Sequence, residues 1–272
     1  VVSIPASSVQ TEALLLTGAI SSQEDAKQYY HTLAQEVLEE AKLLNELALL
    51  EGFVGCEEVC MEENAVGDGY EVLMRSPYRE SVETLLSKEP MTQLAALNMG
   101  LDLCAALAAC RRKGYLFVDL KPDNVFLTES GVYCIGDIGF CQLKCLKYAS
   151  LPQKYRSSYT APEMTDFFAQ LNETLDIYAL GLILYRVFNG GALPFEGDAP
   201  TEQLPPPMYA DYELSEIILK ACDPNPRKRW QTPIEMGQAL VTYMQRNGVN
   251  DTPIVPVYVA PAPVSDPISA VN

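Results

Sequence analysis

The stretch Phe117-Val-Asp-Leu-Lys-Pro-Asp-Asn124, followed thirteen residues after Asn124 by Asp137-Ile-Gly139, decides how this chain is read. Taken alone, Lys121-Pro-Asp-Asn124 is good turn chemistry, because proline fixes φ and short polar side chains bond their own backbone. What weighs against a bare turn is the set of short segments that follow in order. They are Ala161-Pro-Glu163, Asp176-Ile-Tyr-Ala-Leu-Gly181 and Pro226-Arg-Lys-Arg229.

Working outward, Val1-Val-Ser-Ile-Pro5 reads as the tail of a strand ended by proline, and a polar connector follows. Glu24 to Leu50 reads as one amphipathic helix, with Leu33, Val37, Leu44 and Leu47 at helical spacing. Phe53 to Met61 and Tyr70 to Arg75 are short strands on either side of the turn-rich Asn64–Gly69. Met91 to Lys113 is almost wholly apolar and suits a helix at the centre of a lobe. Val125–Leu127 and Val132–Ile135 are strands joined by a turn at Glu129-Ser-Gly131, and an irregular segment runs on to Ser158. Leu175–Asn189, Tyr212–Ala221 and Pro233–Arg246 are three further helices. From Gly248 onward Pro253, Pro256, Pro261, Pro263 and Pro267 mark an extended linker. No internal repeat is found.

The bulk properties narrow the function classes. With 48% hydrophobic and 20% charged residues, the 272-residue chain has ample material for a large core. Nineteen Lys and Arg against 36 Asp and Glu give a net charge of −17, which repels nucleic acid and anionic membrane surfaces. Leu94–Cys110, the longest apolar stretch, is interrupted by Asn98 and Asp102 and is short for a membrane span. No secretory signal opens the chain, which starts at Val1 and so is expected to be a piece of a longer one. Eight cysteines spread through core elements suit a reducing, cytoplasmic setting. The four-residue spacings of Cys56 and Cys60, and of Cys141 and Cys145, leave zinc as an alternative to free thiols.

With these segments in place, the chain resembles the eukaryotic-type protein kinase family, specifically the bacterial serine/threonine kinases, from its first residues to about Arg246. The resemblance implies an α+β, two-lobed protein-kinase-like fold with a truncated small β lobe and a mainly helical large lobe. Residues 1–78 are the expected remnant of the N-terminal lobe, 79–247 the helical lobe, and 248–272 the Pro-rich tail. It implies ATP and Mg²⁺ as cofactors and a protein substrate, with no nucleic acid and no direct membrane contact. By the same resemblance Asp119 accepts the substrate hydroxyl's hydrogen bond and Lys121 reaches the γ-phosphate. Asn124 and Asp137 are the Mg²⁺ ligands, and Phe126 is the apolar floor under adenine. Glu163 is expected to pair with Arg229, and Asp176 to hold the backbone of the catalytic loop. Glu40 is the preferred helix glutamate for the ATP-contacting lysine, with Glu39 and Glu36 as rivals.

Departures from the family pattern set up a second reading. Nothing matches the glycine-rich loop, and Val1–Pro5 looks like the residues immediately after the strand lysine; Lys27 is a poor stand-in for it. Phe117-Val118 replaces the usual His-Arg, Ile138 replaces a phenylalanine, and Arg156 stands where a threonine is usual. Only eight residues separate Leu193-Pro-Phe195 from Leu204-Pro-Pro-Pro207, too few for the family's docking helix. The leading expectation is therefore a protein serine/threonine kinase whose residues 1–272 alone transfer phosphate negligibly. The alternative is a pseudokinase that binds or scaffolds.

Overall fold

The computed structural model describes residues 1–5, 7–50, 52–136, 140–142, 157–165, 172–197, 200 and 202–254. The N-terminal part is a three-stranded antiparallel sheet covered by one long helix. Strands β1 (Val2–Ile4), β2 (Glu58–Glu63) and β3 (Tyr70–Arg75) lie in the order β1-β3-β2. Val72 is paired with Val2 on one side and Met61 on the other, so β3 is the central strand. Its alternation puts Tyr70 and Val72 on the buried face, where they meet Ala26, Tyr30 and Ala34 of helix α2 (Gln23–Ala48). Ser22 caps α2 by accepting the Asp25 N–H, and Glu24 and Asp25 complement the positive end of the helix.

Two expectations about this region change. The connector after Pro5 contains a helix, α1 (Ser8–Leu16), because Glu12-Ala-Leu-Leu-Leu16 are strong helix formers and Leu14 packs into the small core. The Thr11 hydroxyl lies 2.9 Å from the Tyr30 hydroxyl and pins α1 to α2. The strand expected at Phe53–Met61 starts only at Glu58; Phe53 instead makes a lone bridge to Ile135 in the other lobe. Lys27 is a surface residue, 3.1 Å from Glu63.

The helical part is built on α4 (Gln93–Arg112) and α5 (Thr174–Phe188), with α3 (Val82–Lys88), α6 (Tyr212–Ala221) and α7 (Pro233–Asn247) around them. By length and composition α4 is apolar enough to cross a membrane, yet 61% of that window is buried inside this core. Asp102 belongs in it because its carboxylate accepts the Tyr133 N–H at 2.9 Å and ends a strand ladder. Every residue of α5 except Arg186 is buried. Gly181 is required there, since a Cβ would lie 2.7 Å from the Cβ of Ala221 in α6 and 2.8 Å from the Sγ of Cys222 just after it. Among the described residues no helix lies between α5 and α6; an extended run at 203–207 takes its place, with Leu204 buried. Beyond α7 the chain does not leave at once, for the Ile254 N–H bonds the Met91 carbonyl at 3.0 Å. The rest of the Pro-rich tail lies outside the described residues.

One ion pair braces the helical part. Arg229 is fully buried and uses all five N–H donors. Two go to the Glu163 carboxylate at 2.7 and 2.8 Å, and the others to the carbonyls of Asp223, Thr174 and Pro224. Its guanidinium also stacks 4.5 Å from the Tyr178 ring. Replacing Arg229 by Met leaves a nearly buried carboxylate and three carbonyls without donors. Arg229→Met is expected to destabilise the protein by about 3–5 kcal/mol, read as a lower urea midpoint; a change under about 1 kcal/mol contradicts this account.

On α2, Glu40 is half-buried, and desolvation together with the nearby Glu36 lifts its carboxyl from 4.5 to about 7. The folded chain therefore holds this proton more tightly than the unfolded chain. Stability from this group is complete below pH 4.5 and falls as pH rises toward 7. Glu40→Gln is expected to flatten that slope and to be the more stable protein at pH 8, by on the order of 2 kcal/mol. Urea midpoints measured from pH 4 to 8 check it, and identical slopes in both proteins refute it.

Candidate active site

The loop after β4 (Tyr115–Phe117) gathers the polar residues picked out in the sequence. Leu116, Phe117 and Leu120 are buried and anchor it from below. Phe117 fills apolar space, and its N–H donates to the Asp176 carboxylate of α5 at 3.1 Å. That bond is the role expected of Asp176. Burial pushes the Asp176 carboxyl well above its ordinary pKa, and among the described residues its other oxygen, Oδ1, has no hydrogen-bond partner. Pro122 then opens a single 3₁₀ turn, closed by the Asn124 N–H on the Lys121 carbonyl at 2.9 Å.

This turn folds Lys121 and Asn124 back onto Asp119. The Lys121 ammonium lies 2.7 Å from Asp119 Oδ2, and the Asn124 amide donates to the same oxygen at 3.1 Å and to the Asp119 carbonyl at 2.8 Å. Asp119 is thus a largely buried carboxylate with a cation beside its Oδ2; among the described residues no hydrogen bond to Oδ1 is seen. Asn124 spends its N–H donors on Asp119, which leaves its carbonyl Oδ1 as a hard oxygen donor of the kind Mg²⁺ takes. Asp137 lies outside the described residues. The Gly136 N–H donates to the Asn124 carbonyl at 2.9 Å, and Phe140 of β7 (Phe140–Gln142) pairs with Phe117. Ile138 and Arg156 also lie outside the described residues.

Beside the loop, β5 (Val125–Leu127) and β6 (Tyr133–Ile135) form a two-stranded ladder that carries Phe126. Phe126 lies on Gly136, where any Cβ would come within 2.8 Å of its ring carbons. Together they border a cavity of about 390 Å³, closed also by Val1, Leu44, Val54, Met74, Ser76 and Pro77. That is a size typical of small-molecule sites, and its walls are mostly apolar with Phe126 and Tyr78 as aromatic surfaces. Of the three rival glutamates, Glu39 pairs with Lys42 at the surface and Glu36 is exposed. Glu40 is the inward one, a single turn before the cavity-lining Leu44.

Sequence reading missed some residues here. Arg79 also lines the cavity, and among the described residues its buried Nη1 has no hydrogen-bond partner. A lone arginine in a loop carries no periodic signal that would have marked it. The same holds for Arg186, Glu83 and Tyr159, which meet across more than twenty residues of chain. The Cys56 and Cys60 spacing leads to no metal site among the described residues, and the Cys141 and Cys145 spacing lies outside them. Cys60 is exposed on β2, Cys56 is half-buried, and no cluster of three ligating side chains occurs there.

Comparison with known proteins agrees with this geometry. The protein kinase domain family matches residues 17–244. The serine/threonine-protein kinase PknB of Mycobacterium tuberculosis is 30% identical over 168 residues, covering 56% of this chain and 26% of that protein. PknD of Chlamydia muridarum is 28% identical over 261 residues, covering 78% of this chain and 27% of that protein. A probable serine/threonine-protein kinase of Clostridium perfringens is 28% identical over 160 residues. The chain thus spans about a quarter of the length of these curated relatives. On the breadth of that match and the fold it accompanies, this chain belongs to the protein kinase domain family and has its two-lobed α+β fold.

Proposed function

We propose that this chain is the phosphotransfer part of a serine/threonine protein kinase, moving the γ-phosphate of ATP to a protein hydroxyl. Protein kinase domains use ATP, typically with Mg²⁺, so the family supplies the reaction class. The observation that carries the reading for this chain is the Asp119–Lys121–Asn124 cluster opening beside an aromatic-floored cavity. A module that only bound a partner would have no chemical need for a carboxylate and an ammonium held 2.7 Å apart at that place.

The division of labour follows from charge. Asp119 orients the acceptor hydroxyl and takes its proton as the new O–P bond forms. Lys121 lies beside that carboxylate and is placed to neutralise charge on the transferring group. Phe126 and the wall at 74–77 take the adenine by stacking and exclusion of water. Asn124 and Asp137 would hold Mg²⁺, which draws charge off the phosphates. Residues 1–78 form the smaller lobe over the cavity in this reading, and 79–247 the larger one. A cytoplasmic setting, which keeps thiols reduced and supplies ATP, suits this reading.

The test is transfer from labelled ATP with Mg²⁺ to a generic basic protein, using the full-length protein. Asp119→Asn is expected to lower the rate by about 10²–10⁴-fold while ATP affinity changes little. Undiminished transfer in the variant removes Asp119 from the chemistry. Nucleotide binding with no transfer in the wild type moves the chain to the pseudokinase reading.

A further inference from the structure

A second cavity, of about 440 Å³, lies next to the one bordered by Phe126, between the end of α2 and the chain at 53–57. Val54, Cys56, Pro77 and Arg79 line both, so the two cavities share a wall. The second is again of small-molecule size. Ala48, Leu49 and Phe53 give it apolar surface, and Leu49 is 87% exposed.

The polar side chains that line it are Asn45, Glu57 and Arg79. Asn45 Oδ1 accepts the Cys56 N–H at 2.6 Å, an approach open only because Gly55 lacks a Cβ, which would lie 2.6 Å from the same oxygen. That bond commits the acceptor end of the amide and leaves its NH₂ group as a donor. Glu57 is already paired with Arg75 Nε, at 3.2 Å. Arg79 differs from the other arginines described above. It is half-buried, yet among the described residues none of its five N–H donors meets an acceptor, and Nη1 has lost solvent altogether. Arg229 and Arg186, by contrast, each grip a carboxylate with both terminal nitrogens. A guanidinium that gives up water without gaining an acceptor costs stability. Adenine carries no charge to answer it, and Lys121 serves the phosphates elsewhere in the phosphotransfer reading.

We propose that the second cavity binds a small carboxylic acid with an apolar body. Arg79 and the Asn45 NH₂ group take the carboxylate, and Ala48, Leu49 and Phe53 take the body. A planar carboxylate matches the guanidinium fork with two parallel bonds, and the apolar surface selects an organic acid over a bare inorganic anion. This site does not depend on the phosphotransfer reading, but its consequence for the nucleotide does. Through the shared wall, acid and nucleotide alter each other's affinity by the same factor.

The probe is 4-phenylbutyrate, titrated calorimetrically into the full-length protein beside its neutral analogue 4-phenylbutyramide. The acid is expected to bind with a Kd of about 0.1–2 mM. The amide, and the acid with Arg79→Gln, are each expected to bind at least about tenfold more weakly. Leu49→Ala changes a residue that lines the second cavity and not the first, and is expected to weaken the acid about threefold. With a non-hydrolysable ATP analogue saturating, the acid is still expected to bind, its Kd moved by no more than about tenfold. Without any acid, Arg79→Gln is expected to raise the melting temperature by about 1–3 °C, because an unspent cation has been removed. Equal affinity for acid and amide overturns the proposal, as does binding that ignores Arg79→Gln. Strict competition with the ATP analogue puts the acid in the nucleotide cavity and also overturns it. A fall of several degrees in the Arg79→Gln melting temperature does so too, since it makes Arg79 an ordinary structural residue.

Discussion

A helix buried on nearly all sides has no solvent to satisfy its ends, so its polar termini must be met by other parts of the chain. In this protein α5 is that helix, and the constraint organises the larger lobe. At its first turn the Thr174 N–H is met by the Asn172 side-chain oxygen and the Leu175 N–H by the Asn172 carbonyl, while the Thr174 carbonyl accepts from Arg229 and the Asp176 side chain takes the Phe117 N–H. At its last turn Arg186 reaches Glu83, Tyr159 and Gly191. The catalytic loop, the segment at 157–163 and α3 are thus hung from opposite ends of one rigid rod. Their relative placement comes from the length of α5 together with the packing of α3 directly on the catalytic turn. The burial that makes Asp176 hard to ionise is the cost of putting a polar tether inside the core.

How much of this was legible in the sequence depends on the range of the interaction. The catalytic turn was legible because its chemistry is local: Asp119, Lys121, Pro122 and Asn124 act within six residues. Helix α6 and strand β3 were legible to the residue, since the Asp211 cap and the Asn64–Gly69 turn punctuate them. Helix α3 was not, because seven residues give less than two turns of periodicity and only its Ser81 cap marks it. Strands β4 and β7 are three residues each and exist by pairing with one another, which no local pattern encodes. Arg186 and Glu83 are 103 residues apart, and nothing in either neighbourhood names the other. Arg229 and Glu163 were matched in advance only because a family resemblance supplied the pairing. The helix α1 was hidden because its apolar residues form no helical stripe: Leu15 and Leu16 are exposed and Leu14 packs on the small core.

Electrostatics divide the molecule in a complementary way. The chain is strongly acidic, yet the cations that matter are the ones committed to specific partners: Arg229 and Arg186 to carboxylates, and Lys121 to Asp119. Spare carboxylates cover the outside, while Glu40 and Asp102 lose solvent and become harder to ionise. A general surplus of negative charge favours approach by basic protein segments and disfavours polyanions, except where a committed cation is uncovered.

The packing of α4 against α7 has a consequence for how the protein is made. Gly100 and Gly237 let these helices come close, with a Cβ at Gly100 only 3.0 Å from the Leu240 side chain. The Gln93 amide bonds the Tyr243 hydroxyl, across 150 residues of chain. During synthesis α4 therefore emerges with an apolar flank whose cover has not yet been translated. At elongation rates of about 5–20 residues per second, that flank waits on the order of ten seconds or more before α7 exists. The lobe closes late, and in that interval α4 is the surface a chaperone or a neighbouring nascent chain meets.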